Sequence, residues 1–118
     1  MKTYKTLVVW QKSIDLVEVV YRISKSFPDD EKFNLTSQIR RCAVSIPSNI
    51  AEGHGRKSNG DFSRFLKIAF GSSSELETQI LIAHRLEILS KKEYDEISEL
   101  LTYVRKMLSS LITKTVEN

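Results

Sequence analysis

Glu52 and His54 flank Gly53 in a run that continues Gly55-Arg56-Lys57-Ser58-Asn59-Gly60, the densest grouping of chemistry-bearing residues in the chain. A carboxylate and an imidazole two residues apart are the materials of acid–base catalysis. A glycine-rich loop with Arg and Lys is the material of a phosphate cradle. Glycines let backbone amides face an anion, and the following helix adds the positive end of its dipole. Neither device is completed. There is no His pair at metal-ligand spacing, no second cysteine for a thiolate site and no nucleophile elbow. The glycine and Lys-Ser/Thr spacing of a nucleotide P-loop is also missing, and no strand precedes the loop. Glu52 falls on one helical stripe with Arg41, Ser45 and Ser48, so the expectation is a structural Arg41–Glu52 ion pair. Gly53 is expected to cap a helix C-terminus ahead of a turn. His84 lies on the apolar side of its segment, as a core or interface histidine does. The chain is therefore read as a non-enzyme with no catalytic residues, metal or cofactor, and a hydrolase centred on Glu52 and His54 is the weakest alternative.

The charge is more informative. From Lys32 to Lys67 there are seven Lys or Arg against two Asp or Glu, a local +5. Residues 1–31 are neutral and residues 68–118 carry −2, within an overall +3. Arg64, Lys67, Ser74, Thr78 and Arg85 fall on one solvent-facing strip of a helix, with no acidic residue inside it. Arg40, Arg56 and Lys57 add to it from the adjoining hairpin. Cations and hydroxyls along a rigid helix are what phosphate contacts need, so RNA or DNA is the expected partner. An ordinary solvated face is the competing explanation.

The elements that must position these residues are helices. Apolar residues recur at helical period in four segments, roughly 8–26, 34–53, 59–89 and 91–114. Pro28 stops the first. Asn34 is placed to cap the second. Ser58 with Asp61 and Ser90 with Glu93 are spaced as capping boxes for the third and fourth. Pro47 lies inside a stripe that stays in phase across it, so a kinked but continuous helix is expected. Small residues from Ala69 to Ser74 imply close approach of another helix. Short connections favour antiparallel neighbours, and the fold expected for residues 1–118 is all-α: a single domain, an antiparallel up-down four-helix bundle.

The first helix has more apolar surface than one core requires. Trp10, Ile14, Val17 and Tyr21 form one lobe, and Val9, Leu16, Val20, Ile23 and Phe27 form another. Val44, Pro47 and Ala51 repeat the excess opposite the core stripe of the second helix. Such surface becomes an interface, which predicts a homo-oligomer using Trp10, Val44, Pro47 and Ala51. The lone cysteine, Cys42, fits a reducing cytoplasm, and no apolar run approaches the length of a membrane span.

Several motifs are more specific. They are Leu7 to Gln11 (LVVWQ), Phe27-Pro28, Gln38-Ile39-Arg40-Arg41, Ser45 to Gly53 (SIPSNIAEG), Phe62 to Leu66 (FSRFL), Ala69 to Leu76 (AFGSSSEL) and Gln79. With these the chain resembles, over nearly its whole length, the four-helix-bundle proteins encoded in intervening sequences of bacterial 23S ribosomal RNA genes. The resemblance implies an antiparallel bundle that assembles as a ring, a pentamer. It also implies kinship with the accessory subunits that work beside the reverse transcriptase of diversity-generating retroelements, where a basic ring surface is associated with nucleic acid. It supplies no catalytic residue. Two readings follow: a nucleic-acid-binding accessory protein, or a protein-interaction scaffold whose charge serves solubility.

Overall fold

A computed structural model describes residues 3–117. Its helices are α1 (Val8–Ser24), α2 (Leu35–His54), α3 (Asn59–Arg85) and α4 (Lys91–Glu117), with 3-10 turns at Tyr4–Thr6 and Asp29–Glu31. Each packs against its neighbours in chain order and α1 closes on α4, which makes the up-down four-helix bundle. The molecule measures 45 × 21 × 20 Å, the long axis being that of the 27-residue helices.

The core is the set of in-phase stripes. Leu16 and Val20 from α1, Ile39, Ile46 and Ile50 from α2, Leu66, Leu76 and Ile80 from α3, and Ile97, Leu101 and Leu108 from α4 are all fully buried. Of the two lobes on α1, the one containing Val9, Leu16, Val20, Ile23 and Phe27 enters this core. Trp10 and Val17 only border it, Ile14 is half-buried, and Tyr21 is exposed. The second lobe therefore remains available, as its width predicts.

Helix ends follow their capping chemistry, with three corrections. Ser58 Oγ accepts the Asp61 N–H at 3.1 Å, and Ser90 and Glu93 exchange a reciprocal pair of bonds at 2.9 and 3.1 Å. Asn34 stands at the start of α2, but its side chain makes no cap bond; Glu31 Oε1 accepts from the Leu35 N–H instead. The third helix stops at Arg85, four residues early. Glu87 takes a left-handed conformation (φ 62°), and the Glu87 and Ile88 N–H groups donate to the His84 and Ala83 carbonyls. This is a Schellman termination with glutamate where glycine is usual. It turns Leu89 back into the core, where it is buried, although in helical phase it would point away from the core. Gly53 is not a cap. It is buried inside α2, and a Cβ there would lie 2.6 Å from Phe65 Cβ, so its missing side chain lets α3 approach.

Pro47 is buried within an unbroken α2. Ser45 and Ser72 share a hydrogen bond of 2.8 Å across α2 and α3, so the small-residue run does mark a close helix contact. Gly71 in the middle of that run has nothing within 4 Å of where its Cβ would stand. Among the described residues no helix is long and apolar enough to cross a membrane.

Candidate nucleic-acid interface

The α2–α3 turn gathers the basic residues most tightly. Arg56 follows Gly55, where α2 ends, and Lys57 precedes the Ser58 cap of α3. One turn into α3, the Arg64 guanidinium lies 4.5 Å from the centre of the Phe65 ring and that of Arg56 lies 4.9 Å from it. Phe65 sits half-buried at the rim, where it holds two guanidinium groups together by cation–π attraction. Arg56 also pairs with Glu52 at 2.5 Å, and Arg64 touches Asp61 at 3.9 Å. Both pairs are exposed, so neither cation is withdrawn from solvent. His54 stands edge-on to Phe62 at 5.6 Å, an aromatic contact beneath the turn.

Lys67 extends the patch along the exposed face of α3. Arg85 is in phase with it but 18 residues further on, about 27 Å away along the axis. It marks the far end of a strip and is not part of the cluster. Ser74, expected on that strip, turns toward α4, where its hydroxyl accepts from Arg105 at 2.8 Å. Ile68, Leu81 and Ile82 also lie exposed on α3, and Leu86 just past its end, so the face between Lys67 and Arg85 mixes cations with apolar side chains. Their helical phase relative to Lys67 is legible in the sequence.

Arg40 is elsewhere. It reaches toward α1, where its Nε donates to Ser24 Oγ at 2.8 Å and its guanidinium lies 4.7 Å from the Tyr21 ring centre. The expected Arg41–Glu52 pair is not made either. The residues share a stripe but stand eleven positions apart, about 16 Å along α2, and Glu52 pairs with Arg56.

Arg105 was missed as a structural residue. It donates to Ser73 and Ser74 hydroxyls at 3.0 and 2.8 Å, lies 4.5 Å from the Phe70 ring centre and approaches Glu77 at 3.8 Å, which locks α4 to α3. His84 stacks on Tyr94 with ring centres 4.9 Å apart, and its Nδ1 lies 3.1 Å from the Leu89 carbonyl. It serves the helix junction, as expected of a histidine on the apolar side. The Cys42 thiol is pushed up to about 11, first by burial and then by the nearby Glu75 carboxylate, so it is a poor nucleophile. Among the described residues no group of three His, Cys, Asp or Glu could hold a metal ion.

Between α1 and α2 the residues expected at an oligomer interface do come together. Trp10, Val44, Pro47 and Ala51, with Tyr4, Ile14, Val17 and Ser48, line a shallow hollow of about 280 Å³ between α1 and α2. Tyr4 meets Trp10 edge to face at 5.2 Å and walls one end.

Comparison with known proteins agrees with this architecture. The sequence profile of the 23S rRNA-intervening sequence proteins matches residues 5–110. The chain belongs to this family. Its fold is similar to the crystal structure of a protein with unknown function from the S23 ribosomal protein family of Bacteroides thetaiotaomicron, at 30% identity and a TM-score of 0.83, covering 90% of this chain and 96% of that one. No match was found among curated proteins. In this chain the SIPSNIAEG run is thus the Pro47 segment of α2, ending at the glycine that admits Phe65.

Proposed function

We propose that this protein is a non-enzymatic, homo-oligomeric accessory protein that binds the phosphate backbone of RNA or DNA. The carrying observation is the pair of guanidinium groups, Arg56 and Arg64, held on the Phe65 ring beside Lys57 and Lys67 at the N-terminal end of α3. The cations are preorganised by aromatic contact and reinforced by the helix dipole. Exposed cations at a turn, with no element shaped to enter a groove, contact phosphate first, so recognition is of backbone charge. Oligomerisation through the α1–α2 hollow, in the ring that the family resemblance implies, repeats the patch and makes weak contacts act together. The test is RNA and DNA affinity against ionic strength. Neutralising four phosphates gives a log–log slope of about −3 to −4, with little dependence on sequence. A slope near zero, or no binding at low salt, removes the reading.

A protein-interaction scaffold is the second reading. It is favoured by Ile68, Leu81 and Ile82, which expose apolar surface on the same helix face, with Leu86 just past the helix end.

A further inference from the structure

The corner where α1 turns into α2 holds a feature that neither reading uses. Two adjoining hollows there, of about 580 and 280 Å³, share Lys32, Thr36 and Arg40 in their walls. Lys25 and Arg41 add two more cations, against Asp29 as the one acidic residue lining either hollow. Glu31, close by, is occupied by the Leu35 N–H.

Three details go beyond charge. Arg40 is fixed by its Nε bond to Ser24 and by Tyr21 under its guanidinium, and neither of its terminal nitrogens has a hydrogen-bond partner among the described residues. A planar fork held in place with its outer donors free is suited to a phosphate. Thr36 is 7% exposed, lines both hollows, and its Oγ1 has no hydrogen-bond partner. A buried hydroxyl is destabilising until something hydrogen-bonds to it. Phe33, 86% exposed, stands at the rim with Lys32 Nζ 5.5 Å from its ring centre, a free aromatic face beside the cations.

We propose that this corner binds a phosphate monoester attached to a planar ring. Arg40 and Lys32 take the phosphate, the Thr36 side chain turns its hydroxyl out to meet it, and Phe33 stacks on the ring. The larger hollow has the size of small-molecule sites. The ligand chemistry is that of a nucleoside monophosphate, whether free or at the 5′ end of a strand. The site lies at the opposite end of α2 from Arg56, 16 residues and about 24 Å away, and stands independently of the backbone-binding patch.

Calorimetric titration of the full chain tests it, with AMP, adenosine, and a short oligonucleotide with and without its 5′-phosphate. At least one phosphorylated ligand should bind about tenfold or more tightly than its unphosphorylated twin, since charge-assisted bonds are the strong ones. AMP discrimination assigns the free nucleotide, and oligonucleotide discrimination assigns the strand end. Lys32→Gln with Arg40→Gln should remove that preference. Lys32→Gln alone, an exposed change that spares the fold, should weaken it several-fold. Arg64→Glu with Lys67→Glu should leave AMP binding intact, which separates failure of the patch from failure of this site. Equal binding with and without phosphate, no AMP or oligonucleotide binding at millimolar concentration, or unchanged affinity in Lys32→Gln would overturn the proposal.

Discussion

A methyl group at Gly53 would lie 2.6 Å from Phe65 Cβ and 3.1 Å from the Phe62 ring. Gly53→Ala should therefore force α3 outward and cost about 1–3 kcal/mol, measured as a lower midpoint in chemical denaturation. Glu52, its neighbour in sequence, should behave oppositely. Its carboxylate is more than half exposed and pairs with Arg56 across one helical turn, so Glu52→Gln should change stability by less than about 1 kcal/mol. A larger loss would mean that Glu52 has a partner in another subunit. Cys42 gives a pH signature. Its folded-state value is raised from 9.0 to about 11, so the folded thiol keeps its proton while the unfolded one loses it. The resulting stability is fully present below pH 9 and declines as pH rises toward 11. Denaturation midpoints across that window should fall less steeply in Cys42→Ala than in the parent protein. At neutral pH a thiol reagent should label Cys42 far more slowly in the folded protein than in denaturant.

Helix existence was written plainly in the sequence, because each segment keeps its apolar stripe at a 3.6-residue period over several turns. Reach along the helix was not. A stripe states direction only, which is why Arg41 and Glu52 looked like partners and Arg85 looked like a neighbour of Lys67. The end of α3 has no glycine or proline to mark it; the sign of it is a break in phase, since Leu89 falls about 160° from the Leu76–Ile80 stripe and is brought inward only because the backbone leaves the helix at Glu87. A left-handed glutamate carries a conformational cost that glycine does not, so Glu87→Gly should raise stability by about 1 kcal/mol in thermal unfolding. Gly71 offers the complementary case. It is exposed in mid-helix with open space at its Cβ, so Gly71→Ala should stabilise the subunit by about 0.5–1 kcal/mol. Loss of nucleic-acid affinity in that stabilised variant would mean that a backbone passes close to Gly71.

Seen whole, the bundle carries two kinds of surface. One end of α3 carries the Arg56–Phe65–Arg64 cluster with Lys57 and Lys67, while the apolar hollow lies between α1 and α2. The second apolar lobe of α1 pointed to that hollow from sequence alone, because two lobes on one helix cannot both enter a single core. The pairing of guanidinium groups on Phe65 was not legible, since it depends on how the α2–α3 turn folds back. Light scattering should give a mass several times 13.6 kDa, and Val44→Asp should reduce it toward the monomer without unfolding the helices, because Val44 is 39% exposed and outside the core. The central claim is that the patch at the start of α3 binds nucleic-acid backbone. Its most direct measurement is RNA affinity at low salt for the parent and for Arg64→Glu with Lys67→Glu. Both side chains are exposed, so the variant should keep its helicity and its oligomeric mass. The account predicts that it loses at least about 100-fold in affinity, the effect of reversing two phosphate contacts in every subunit. Equal affinity in the two proteins, with fold and assembly intact, would contradict it.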